Sequence, residues 1–230
     1  MVSSITLKNL IIGYRSKHQL RAIASPVHAS LQAGELTCLI GANGVGKSTL
    51  LRTLAGFQPA LDGEILIQDK SLSDFSAQEL AREISIVLTS KTDHAQLSAE
   101  EIVGIGRSPY TGFWGTLSAA DKQIVAAALQ EAGILHLAQR NISELSDGER
   151  QKVMIAKALA QQTRIIILDE PTAFLDFPSK IETLQMLRHL AHEQHKSILL
   201  STHDVELALQ LSDRLWLMEE SRFSIGTPKE

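Results

Sequence analysis

The chain has 230 residues, 44% of them hydrophobic and 21% charged, with a formal net charge of −4. A chain of this length and balance buries about 70% of its unfolded surface, which excludes disorder and any need for metals or disulfides to hold a core. The single cysteine, Cys38, excludes a disulfide framework, and the acidic balance with 4% aromatics leaves no footprint for general nucleic-acid binding.

In chain order, residues 5–12 read as a strand, and 36–40 as a short buried strand that stops at a glycine. Residues 48–55 have helix-forming composition. An Asp62–Gly63 turn opens an alternating strand over 64–68. A short helix over 77–82 is capped by Ser76, and 84–88 is again a strand. The stretch 89–145 is rich in glycine and reads as a mostly helical insertion. Its main helix, 118–132, starts at Ser118 with Asp121 in the capping-box position. Helix returns over 148–161, followed by a buried strand at 165–168 and an amphipathic helix over 180–192. Strand 197–200, helix 205–211 and strand 215–218 complete the pattern. Strands alternating with helices predict a largely parallel α/β sheet covered on both faces. No apolar run approaches the roughly 20 residues that span a bilayer, and residues 1–12 lack the features of a signal peptide. A membrane role is therefore expected through a partner.

The run Gly41-Ala42-Asn43-Gly44-Val45-Gly46-Lys47-Ser48, continued by Thr49, fits a phosphate-binding loop between a strand and a helix. Glycines let backbone N–H groups turn inward around phosphate oxygens, and the helix N-terminus adds partial positive charge. Lys47 is positioned for the β- and γ-phosphates of ATP and Ser48 for Mg2+. Asp169 closes the 165–168 strand and is a second Mg2+ residue, while Glu170 beside it suits a base for the attacking water. Ser90-Lys91-Thr92-Asp93 imitates a guanine-reading motif but precedes the Asp169 strand, the reverse of the order in small GTPases.

The segment Leu145-Ser146-Asp147-Gly148-Glu149-Arg150-Gln151, ahead of Asp169, resembles the LSGGQ signature of the ATP-binding-cassette (ABC) ATPases. The resemblance covers nearly the whole chain. It implies a RecA-like P-loop ATPase core with an antiparallel β subdomain, about 1–88 and 162–230, and an inserted helical subdomain, about 89–161. By the same resemblance, Tyr14 stacks on adenine, Asp176 is the D-loop aspartate and His203 is the switch histidine at the γ-phosphate. The family works as a head-to-tail homodimer in which Ser146 and the Gly148 amide of one protomer contact the ATP of the other. Asp147 and Glu149 replace the usual Gly and Gln, and both side chains are expected to face away from the phosphate. Thr89 stands where the family has its Q-loop glutamine.

Gly104-Ile105-Gly106-Arg107-Ser108-Pro109-Tyr110 is similar to the subgroup serving iron-siderophore, haem and cobalamin importers. The resemblance implies integral-membrane permease subunits, a substrate-binding protein met indirectly, no nucleic-acid partner, and a peripheral place on the cytoplasmic face of the bacterial inner membrane. Tyr110, Phe113 and Trp114 are expected near the permease contact. The alternative reading is a soluble ABC ATPase that moves no solute, in iron–sulfur assembly or associated with DNA.

Overall fold

The structure, a computed structural model, describes residues 3–15, 20–23, 26–88, 96–112, 114–220 and 222–229. Thr89, Phe113 and the Ser90–Asp93 motif lie outside these residues, so the expectations attached to them do too. Strand β1 (Ser3–Ile11) is followed by a short hairpin, β2 (Gly13–Arg15) and β3 (Leu20–Ala22), then by β4 (Val27–Gln32) and β5 (Leu36–Ile40). Helix α1 (Lys47–Leu54), β6 (Asp62–Ile67), β7 (Lys70–Ser71), α2 (Ala77–Glu83) and β8 (Ile84–Val87) come next. Three helices follow: α3 (Ala99–Ile105), α4 (Ala119–Glu131) and α5 (Asp147–Ala160). The chain ends with β9 (Ile165–Leu168), α6 (Phe177–Gln194), β10 (Ser197–Thr202), α7 (Val205–Leu211), β11 (Arg214–Met218) and β12 (Phe223–Gly226).

The larger sheet has the order β12-β11-β5-β10-β9-β8 and is parallel except for the edge strand β12. A second, antiparallel sheet has the order β4-β1-β6-β7. Strands β5, β9 and β10 are buried along their whole length, as central parallel strands covered on both faces must be. The pleat divides their side chains between two cores. Leu36, Cys38 and Ile40 join one apolar cluster with α3, α4, α5, α6 and α7, whereas Leu39 joins a second with Trp216, α1 and the antiparallel sheet. The predicted elements appear within a few residues of their expected places; β4, the β2–β3 hairpin, β7, β12 and α3 are additions. The sequence of α3 does carry its own start signal, since Ser98 and Glu101 form a reciprocal capping box.

The Gly106–Tyr110 segment ties the α3–α5 helices to the large sheet. A Cβ on Gly106 would stand 2.3 Å from the Lys157 carbonyl oxygen, so glycine is what lets the end of α3 pack on α5. Arg107 is buried. It pairs with Asp121 at 2.9 Å, donates to the Ala160 carbonyl at 2.7 Å, and lies 4.1 Å from the centre of the Tyr110 ring. The Pro109 carbonyl accepts from Arg82 at 2.9 Å and from Gln78 at 3.2 Å, both on α2. Tyr110 Oη donates to the Gln161 carbonyl at 3.0 Å, and the Gln161 amide nitrogen bonds the carbonyls of Ala81 and Ile84. Tyr110, expected near a partner surface, is an anchor of this knot and is still 39% exposed. Trp114 is 87% exposed.

Candidate nucleotide site

Parallel strands deliver their C-terminal ends to one edge of the sheet, and β5, β10 and β9 are neighbours there. Thr202 pairs with Ile40 and Leu200 with Leu168. The residues that follow these strands, Gly41, His203 and Asp169, therefore emerge side by side. This edge is where open α/β sheets place their ligands.

The loop from Gly41 is built by close packing. A Cβ on Gly41 would meet the Met218 carbonyl oxygen at 2.4 Å, and one on Gly46 would meet Ile23 Cγ2 at 2.5 Å. Gly46 also caps α1 with φ 117°, a backbone shape that disfavours any side chain. Lys47 is only 5% exposed, and its Nζ donates to the carbonyls of Gly41 at 2.8 Å and Ala42 at 3.1 Å. The loop of Ala42, Asn43, Gly44 and Val45 is thus closed by the charge at its own far end. The first turn of α1 carries no acidic side chain, so its N-terminal dipole faces the loop uncompensated. Ser48 and Thr49 lie in that turn. Thr49 Oγ1 shares a hydrogen bond of 3.0 Å with Tyr14 Oη, which moors an otherwise exposed ring beside the loop.

Asp169 is 5% exposed and its Oδ1 accepts from Ser201 Oγ at 2.7 Å. The same Ser201 oxygen accepts the Glu170 N–H at 2.9 Å. Glu170 has φ 47°, an uncommon backbone for a side chain of this size, and Ser201 helps hold it. Glu170 Oε2 lies 3.8 Å from His203 Nδ1. Both residues follow strands that end on the edge from which the loop emerges. Sequence reasoning missed Ser201; its only signal is a polar residue near the end of an otherwise apolar strand.

Ser146 and Gly148 start α5, on the helical layer. Gly148 faces the Leu175 side chain, which precedes Asp176, with a would-be Cβ at 3.4 Å. Asp176 caps α6, accepting the Ser179 N–H at 3.0 Å, and these bonds from Ser179 hold its carboxyl below the usual range. Asp147 turns aside to Arg150. Glu149 does not turn aside: its Oε2 accepts the Ser146 N–H at 2.8 Å and the Ser146 hydroxyl at 2.9 Å. The expectation was that it faces away from the phosphate; its partner here is the signature-segment serine itself, in a reciprocal cap that satisfies two groups at the helix start.

Comparison with known proteins agrees with this geometry. The sequence profile of the ABC transporter family matches residues 24–173. An uncharacterised ABC transporter ATP-binding protein of Methanocaldococcus jannaschii is 39% identical over 96% of this chain and 76% of its own length. The iron(3+)-hydroxamate import ATP-binding protein FhuC of Bacillus subtilis is 36% identical over 92% of this chain and 77% of its own. A dimeric bacterial ABC transporter cassette superposes with a TM-score of 0.85 at 26% identity, over 98% of this chain and 99% of that one. With its phosphate loop, strand-end carboxylates and signature helix in one fold, the chain belongs to the ABC transporter family, as its ATP-hydrolysing cassette.

Proposed function

We propose that the chain is the ATPase subunit of an importer for an iron chelate, haem or cobalamin, working as a homodimer under a separate permease. The observation that carries the catalytic part is the convergence of the loop, Asp169, Glu170 and His203 on one sheet edge. The similarity to an iron(3+)-hydroxamate import protein supports the solute class. In this reading the Gly41–Val45 amides, the α1 N-terminus and Lys47 hold the triphosphate, with Tyr14 against the base. The Ser48 hydroxyl and the buried Asp169 carboxylate are hard oxygen donors at the same edge of the sheet, suited to Mg2+, which would supply charge neutralisation between the phosphates. Glu170 takes the proton of the attacking water, and His203 keeps that carboxylate oriented and faces the γ-phosphate. Ser146 and the Gly148 amide serve the ATP of the second protomer, and Asp176 lies beside that contact.

A groove of about 950 Å3 supports the permease reading. Phe57, Phe75, Leu80 and Ile86 line it, together with Met154 and Lys157 of α5. Burial holds the Lys157 amine below its usual range. A short permease helix with an apolar face and a carboxylate toward Lys157 suits this groove. The substrate-binding protein then acts through the permease, from across the inner membrane.

Two variants test the reading. Lys47→Ala removes the charge at the β/γ-phosphates and is expected to weaken nucleotide binding. Glu170→Gln is expected to bind ATP, slow hydrolysis by about a hundredfold or more, and elute as a dimer with Mg-ATP in gel filtration. Hydrolysis near the wild-type rate in Glu170→Gln would remove Glu170 from the role of base. Recovery of the chain with a permease from detergent-solubilised membranes separates an importer from a soluble cassette. Lys157→Glu is expected to lose that association while retaining ATPase activity.

A further inference from the structure

The box that joins Ser146 and Glu149 recurs at Ser76 with Glu79, at Ser98 with Glu101 and at Ser118 with Asp121. At those helices it is a stabilising cap. At α5 the capping serine is also the residue assigned to the γ-phosphate of the opposing protomer. Its hydroxyl carries one proton and donates to one acceptor at a time. In the structure that acceptor is Glu149 Oε2, at 2.9 Å. The Glu149 N–H returns a bond to the same serine oxygen at 3.3 Å, so the carboxylate is held at the mouth of the helix. A carboxylate there offers the helix N-terminus the same two things a phosphate oxygen would, a negative charge and a hydrogen-bond acceptor.

We propose that Glu149 is a positioning residue that competes with the γ-phosphate for the Ser146 hydroxyl and so sets the ATP concentration at which the dimer closes. This inference rests on the proposed role of Ser146. Closure requires the Ser146 hydroxyl to rotate from the carboxylate to the incoming phosphate. The backbone part of the cap, Ser146 N–H to Glu149 Oε2 at 2.8 Å, can stay in place. The carboxylate then remains beside a second anion, and the two repel. The bonds from the Ser146 N–H and hydroxyl, with the Arg140 charge behind them, hold the Glu149 carboxyl below its usual range, so at neutral pH it is a carboxylate. A neutral glutamine keeps an acceptor for the backbone N–H, takes the hydroxyl proton less strongly and carries no charge.

The test uses the full chain with Glu170→Gln, titrated with Mg-ATP at fixed salt and followed by light scattering after gel filtration. Adding Glu149→Gln is expected to lower the ATP concentration for half-dimerisation by about fivefold, the scale of one charge repulsion near a protein surface. The melting temperature without nucleotide is expected to stay within about 2 °C. In the otherwise wild-type chain, KM for ATP falls more than kcat changes. Glu149→Ala removes both cap and charge, and is expected to melt lower yet still dimerise at lower ATP. A merely structural cap predicts the opposite direction for that variant. An unchanged or raised ATP requirement in both variants overturns the proposal while leaving the dimer reading intact. If Glu170→Gln alone never dimerises with Mg-ATP, the dimer reading fails and the inference falls with it.

Discussion

Ser201 shows how much one hydroxyl can hold in a buried site. It donates to Asp169 and accepts from the Glu170 amide, so it fixes a buried carboxylate and an uncommon backbone together. Ser201→Ala leaves both groups without that partner, which costs about 1–3 kcal/mol. The expected outcome is a melting point several degrees lower and kcat reduced about tenfold, because Glu170 loses its fixed direction; denaturation and steady-state ATPase assays measure both. The phosphate loop was legible because its chemistry is local: glycines, lysine and serine act within eight consecutive residues. Ser201 was not legible, since its meaning comes from the register that sets β10 beside β9. The mooring of Tyr14 to Thr49 and the φ of Glu170 are likewise products of tertiary packing.

Among the elements, the Gly104–Tyr110 segment was legible as a motif but not as a structure. Its partners come from distant parts of the chain: Asp121, Ala160 and Gln161, and Arg82 on α2. The motif therefore reads as the means by which α3, α4 and α5 are joined to α2 and β8, with Gln161 bonding the two carbonyls at that junction. The capping boxes were the legible part of these helices, because a serine and an acid three residues later are read without the fold. Asp121 serves both devices, capping α4 and pairing with Arg107, and its carboxyl is pulled down to about 2 by bonds from Ser118 and then Arg107. A carboxyl whose folded pKa lies below its unfolded value near about 4 stabilises the fold above that value. That contribution fades as pH falls from about 4 toward 2. Asp121→Asn is expected to lower stability at neutral pH and to flatten the acid limb of the unfolding curve over this window. An acid limb unchanged by the substitution would mean that other carboxylates dominate it.

For the whole molecule, the layering predicted from alternating strands and helices holds for the large sheet, and the antiparallel sheet stands as its own layer through β1 and β6. Both apolar clusters lean on the same central strands, which makes those strands the last part of the molecule to open. Their amides are therefore expected to exchange with solvent deuterium only when the whole fold opens, whereas loop amides exchange through local fluctuations. In the proposed reading ATP sits at the edge of the sheet where β5, β10 and β9 end, yet it stabilises the entire folded state by mass action, by about 2.7 kcal/mol at a hundred times its Kd. Deuterium uptake at the far ends of β5, β10 and β9, around Leu36, Ile198 and Ile165, is then slowed about a hundredfold by nucleotide that never comes near them. Slowing confined to the loop and α1 would instead mark the phosphate site as a unit that opens by itself. The buried sheet thus turns ligand affinity into an isotope clock, readable at the edge of the molecule opposite the ligand.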